Sequence, residues 1–127
     1  MKATELMIGD LVAQKYSGLL LKVSEVRPPY IIADGEDGHF HEDTLEPIPL
    51  TEERLLANGF YYERNIGYVY EYSEYEVIVD LWDNSYRILH NRDVMMNIQC
   101  YSNVFVHELQ HALRLCDVDK EITIKEG

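Results

Sequence analysis

The sequence predicts an α+β fold built from two β-rich parts, and three observations carry that expectation. Residues 1–50 hold short apolar runs broken by closely spaced turn signals. Residues 60–100 alternate apolar and polar side chains with period two, as half-buried antiparallel strands do. Two segments, at 51–59 and after residue 102, carry helix signals instead. The expected architecture is a small SH3-like β-barrel module at 1–50. A linking helix, an antiparallel meander and a C-terminal helix packed on that meander follow at 51–127, as a second unit or as one body with the first.

The elements follow in order. "GDLVAQ" leaves a turn at Gly9-Asp10, and "GLLLKVSEV" has the length and apolar weight of a strand. Pro28-Pro29 interrupts the chain before "YIIA", and Asp34-Gly35 and Asp37-Gly38 suit turns with positive φ. "HFHEDTLEPIPL" is expected to be extended up to its prolines. Thr51 is a candidate N-cap, with Glu52 and Glu53 in the first turn, where the helix dipole favours negative charge. Asn58-Gly59 ends that helix. In "GYVYEY", Tyr68, Tyr70 and Tyr72 share one strand face. "YEVIVDLW" places Tyr75, Val77, Val79 and Leu81 on one face and Glu76, Ile78, Asp80 and Trp82 on the other. Ser102 or Asn103 is expected to cap a last helix running to about Cys116, and "EITI" to form an edge strand.

Charge narrows the function classes. The net charge is -12, and the excess of acid is even along the chain. Residues 1–50 hold nine acids against four bases, residues 51–100 nine against four, and residues 101–127 five against three. No basic patch is available to neutralise phosphates, so direct nucleic-acid binding is not expected. An even acidic surface suits solvation or a basic protein partner, and a mimic of nucleic-acid charge is a further reading. No apolar run reaches the ~20 residues of a membrane span, and "MKATELMIGD" lacks the apolar centre of a secretory signal. A cytoplasmic protein is expected. Cys100 and Cys116 would lie about 24 Å apart along a helix, too far for a disulfide.

One motif names a chemistry. His107-Glu108-Leu109-Gln110-His111 matches the zinc-binding helix of metallopeptidases, in which histidines at i and i+4 share one face and the glutamate is general base. The metzincin pattern puts its third ligand at the position of Asp117 here. Against this, the glycine that turns the chain toward that ligand is replaced by Arg114, a good helix former. The apolar stripe Phe105, Val106, Leu109, Ala112, Leu113 and Cys116 would dock on the sheet and leave His107 and His111 facing solvent. The expectation is therefore a protein without a cofactor. Its alternative is a zinc-dependent hydrolase with His107, His111 and Asp117 as ligands and Glu108 as base.

Other constellations are weaker. His39 and His41 share one side of a strand beside Glu42 and Asp43, a pair able to bind a transition metal, although exposed residues after a hairpin are the plainer reading. "DGEDG" is not a calcium loop, because the position that must be acidic is Leu45. Seven of the ten tyrosines fall between Tyr61 and Tyr86. Tyrosine joins apolar area to a polar tip, so Tyr68, Tyr70, Tyr72 and Trp82 are the candidate contact surface for a protein partner.

"MKATELMIGDLV", "LEPIPLTEERLLANGF" and "VFVHELQHALRLC" with "KEITI" resemble an uncharacterised family of small acidic proteins from gut Bacteroidetes, their phages and prophages. The resemblance spans roughly a third of the chain. It implies a cytoplasmic setting and a mobile-element origin, and carries no catalytic or binding residue. The leading expectation is a non-enzymatic acidic interaction or accessory protein.

Overall fold

The computed structural model describes residues 1–124 and divides into two compact units, Met1–Ile48 and Pro49–Gly127. The fold is α+β, with two antiparallel five-stranded sheets and two α-helices.

The first unit carries β1 (Leu11–Gln14), β2 (Leu20–Arg27), β3 (Tyr30–Ala33), β4 (Phe40–His41) and β5 (Leu45–Pro47) in the order β4-β3-β2-β1-β5. β2 is long enough to serve two neighbours. Its start pairs with β1, and from Val23 onward it pairs with β3 through a register shift. Such an irregularity bends a strand and lets one sheet curl. The fully buried side chains Val12, Leu21, Val23, Ile31 and Leu45 fill the concave side. Buried Asp10 is held in the turn before β1, where its carboxylate accepts the Met7 N–H at 2.7 Å. The Ala3 N–H donates to Glu42 Oε2 at 2.9 Å, which ties the N-terminus to the short 3-10 turn before β5.

The second unit opens with α1 (Glu52–Ala57), capped by Thr51 Oγ1, which accepts the Arg54 N–H at 3.2 Å. The meander follows as β6 (Tyr61–Glu63), β7 (Gly67–Tyr72), β8 (Tyr75–Asp80), β9 (Ser85–His90) and β10 (Asp93–Gln99), each strand pairing with the next. Tyr68, Tyr70 and Tyr72 do share one face, opposite Val79, Val77 and Tyr75 of β8. α2 (Val106–Leu115) completes the unit. It starts later than the caps Ser102 or Asn103 would place it. Val104 accepts the Leu50 N–H at 2.8 Å and Phe105 bridges Pro49, so both residues are held extended. The helix opens at Val106 without a side-chain cap.

The segment after α2 is not the expected edge strand. No strand forms over residues 121–124. Two buried carboxamides hold the chain there instead. Gln110 takes the Ile122 N–H on its Oε1 at 2.7 Å and donates from Nε2 to the Lys120 carbonyl at 2.9 Å. Asn58 accepts the Thr123 N–H and donates to the Thr123 carbonyl, both at 2.8 Å, and also donates to Arg54 O at 2.7 Å. Each amide acts as a one-residue strand, offering a donor and an acceptor side by side. Val118 and Ile122 are thereby buried.

Truncating Gln110 leaves the buried Ile122 N–H unsatisfied, and truncating Asn58 removes its part-buried bonds to Thr123 and Arg54, each loss costing about 1–3 kcal/mol. Asn58→Ala and Gln110→Ala are each expected to lower unfolding stability by roughly that amount in urea denaturation, with Gln110→Glu no better than alanine because it loses the donor to Lys120.

Candidate functional site

The histidine motif does lie on a helix, but not with both rings in solvent. His107 is buried at 6% exposure, whereas His111 is half-buried. The His107 ring stacks on Phe105 with centroids 6.2 Å apart and meets His111 edge-on at 5.7 Å. The solvent-facing expectation fails because the buried arc of α2 is wider than its apolar stripe. Gln110, three residues on from His107 and on its side of the helix, is itself buried under the returning chain.

The remaining members of the motif are engaged elsewhere. Glu108 Oε2 faces the Cys100 Sγ at 4.0 Å, at the end of β10. Asp117 sits just past α2 with φ +58°, and there the helix closes on itself. The Val118 N–H donates to Leu113 O at 2.8 Å and the Asp117 N–H to Arg114 O at 3.2 Å, the paired bonds of a Schellman ending. Arg114 therefore does extend the helix, and Asp117 serves as its left-handed terminator. Among the described residues no group of three or more His, Cys, Asp or Glu side chains is placed to hold a metal ion. His39 and His41 both meet the edge or face of Tyr30, at 6.0 and 5.2 Å.

Electrostatics around α2 favour neutral groups. Burial pushes the Cys100 thiol up, helped by Glu108, and burial pushes Cys116 up, helped by Asp117. Both cysteines are free. Tyr86, on β9 beneath the helix, is pushed up to about 12 by burial and by the nearby Cys100, Glu108 and Cys116. A thiol held protonated is a poor nucleophile.

The candidate contact residues are not equivalent. Tyr68 is buried, and burial, helped by Glu52, pushes its hydroxyl up. Tyr70 packs against Phe60 at 5.4 Å, and the Lys120 ammonium lies 5.1 Å from its ring. Tyr72 is half-buried at the far end of β7. Trp82 is 97% exposed. It does not continue the face of Ile78 and Asp80, because β8 stops at Asp80 and the chain turns over residues 81–84.

That turn is pinned from three directions. Asp80 Oδ1 accepts the N–H groups of Trp82 and Asp83, each at 3.0 Å. The Cys100 N–H donates to Asn84 O at 2.8 Å, and the Gln99 side chain donates to Asp83 O. Beside it lies the β6–β7 turn, whose Asn65 and Gly67 have φ of 68° and 126°. A methyl group at Gly67 would lie 2.7 Å from the Val79 carbonyl oxygen, so only glycine allows the start of β7 to approach β8 this closely. Between them runs an open groove of about 480 Å³, lined by Tyr62, Ile66, Tyr68, Asp80, Leu81 and Trp82 among others. Tyr62 and Ile66 were not among the residues singled out from the sequence. An apolar side chain between Asn65 and Gly67, inside a turn, was the available signal for Ile66.

Comparison with family profiles, with curated proteins and with solved structures returned no match. Among the described residues no helix is long and apolar enough to cross a membrane.

Two outcomes are expected from these contacts. Aspartate at the left-handed position pays a conformational penalty and sets its charge against the helix C-terminus, so Asp117→Gly should raise unfolding stability by about 0.5–1.5 kcal/mol. The second concerns alkaline pH. The exposed Tyr61 hydroxyl donates to Glu71 at 2.6 Å, and that bond raises its pKa from 10.0 to about 12. Tyr86 is raised to about 12 by burial. A raised folded pKa means stability that is intact below the ordinary value and lost above it. The urea midpoint should therefore fall as pH rises from 10 to 12, and Tyr86→Phe should flatten that fall.

Proposed function

We propose that this protein is a non-enzymatic, acidic protein-interaction module that acts as an accessory to another protein. The observation that carries this reading is Trp82, a fully exposed indole on a turn held by side-chain and backbone hydrogen bonds, at the mouth of an aromatic groove. An exposed aromatic on a fixed backbone loses little conformational freedom on binding, and tryptophan and tyrosine are enriched at interface hot spots. The even negative charge supports a partner with a basic surface.

The N-terminal unit is, in the same proposal, an SH3-like module. Its strand order β4-β3-β2-β1-β5, the bent β2 and the 3-10 turn between β4 and β5 support that reading. A cytoplasmic role in a phage or prophage setting rests on the resemblance of the three sequence blocks alone. Among the described residues no group of three His, Cys, Asp or Glu side chains supports the zinc-hydrolase reading.

Photo-cross-linking in the native cell tests the proposal. A photoreactive residue at position 82 is expected to give a discrete, salt-sensitive adduct with one protein, and the same residue at exposed Tyr16 is expected to give none. Absence of any adduct from position 82, together with about one zinc per chain and peptide cleavage lost in His107→Ala, would replace it with the hydrolase.

A further inference from the structure

We propose that the groove between the β6–β7 and β8–β9 turns binds the cationic side chain of a basic peptide segment, an arginine or lysine seated against Trp82 and Tyr62. The inference rests on the interaction reading above and names its partner chemistry and its site.

Three features of the groove select a cation. Its walls are aromatic. Tyr62 and Tyr68 are cross-strand neighbours with ring centroids 5.3 Å apart and planes tilted by 58°, and Trp82 stands exposed on the opposite turn. Rings at an angle to one another present several negative π-faces to a single pocket, the arrangement that holds cations in aromatic cages. Its charge is also of one sign. None of the lining residues is basic, and Asp80 sits in the lining. The third feature is the field of the whole chain, whose net charge of -12 draws a basic segment toward any of its faces. Charge provides the approach, and the cage provides the place.

The backbone favours the same occupant. Asp80 Oδ1 is committed to the N–H groups of Trp82 and Asp83, so the turn that carries the indole is fixed before anything binds. A long, flexible arginine or lysine can then reach into an open groove without reorganising it. A neutral sugar could also stack on these rings. It would gain nothing from the surrounding charge, and so the cationic peptide is the favoured occupant.

Trp82 is the sole tryptophan, which makes its emission a direct reporter of the groove. The intact protein would be titrated with an acetylated, amidated heptapeptide carrying two arginines, its citrulline counterpart, and chitotriose, reading Trp82 fluorescence and calorimetric heat in parallel. A saturable change in emission with the arginine peptide, absent with citrulline, is expected. Trp82→Ala should weaken the calorimetric affinity roughly tenfold, as loss of a cation–π contact does. Because Trp82 is exposed, that variant should keep its circular dichroism, and Tyr62→Leu provides a second test that retains tryptophan. Equal responses to arginine and citrulline, or a response to chitotriose alone, would overturn the cationic assignment. Arginine-peptide binding unchanged in Trp82→Ala would overturn the site and leave the interaction reading standing. Silence of every probe by both methods would overturn the inference, whereas the interaction reading falls only if position 82 also cross-links to nothing.

Discussion

The second unit depends on a pairing that involves no regular strand: two buried carboxamides holding the chain that returns after α2. Asn58 and Gln110 are almost fully shielded from water, and each gives both a donor and an acceptor to residues 120–123. A buried polar group is tolerable only when satisfied, and these two satisfy each other's needs with those of the backbone they hold. Their spans differ. Gln110 reaches twelve residues ahead, whereas Asn58 joins positions 65 apart. The second contact therefore closes a long loop, from the end of α1 to the end of the described chain, and fixes the large meander between its anchor points. From that closure follow the burial of Val118 and Ile122, the seat of Lys120 over Tyr70, and the wide buried arc of α2.

This pairing also accounts for what the residues on α2 can do. Histidines one turn apart meet edge to face, and Phe105 stacks on the first ring. Glu108 turns toward Cys100, and Asp117 terminates the helix. His107, Glu108 and Asp117 each have a partner within the fold. The spacing is that of a peptidase, but the surroundings are those of a packed helix on a sheet. In the same unit the opposite case is found at Trp82, where nothing in the interior claims the side chain and the backbone beneath it is fixed.

Local signals made much of the fold legible. Period-two alternation located the meander, because its strands bury one face more than the other. Thr51 could be read as a cap from three residues of context. The features that escaped share a different property: their cause lies far away in the chain. Asn58 reads as an ordinary helix ending beside Gly59, and its side-chain role depends on Thr123. Ser102 and Asn103 are sound caps in isolation, yet the pairing of Val104 and Phe105 with Leu50 and Pro49 moves the helix start. Trp82 extends an alternation that β8 abandons two residues earlier, because Asp80 prefers to cap a turn with its own carboxylate. The candidate site was legible in Trp82 and in Tyr68, both of which line the groove. Tyr62 joins the site as the cross-strand partner of Tyr68, and Ile66 lies in the turn between them.

The outer edge of β10 has a bearing on how copies of the protein behave toward one another. Seven residues long, this strand presents Val94, Met95 and Ile98 to solvent, and among the described residues no further strand follows it in the sheet. An open edge of that kind is a template for adding strands from other molecules. Two barriers of different origin oppose it. The net charge keeps copies apart at long range and fades as ionic strength rises. The register shift between Val94 and Met96 distorts the edge itself, a steric mismatch that salt does not touch. Colloidal stability is thus divided into a screened part and an unscreened part, and in concentrated electrolyte a single bulged residue, Met95, remains to keep the sheet finite.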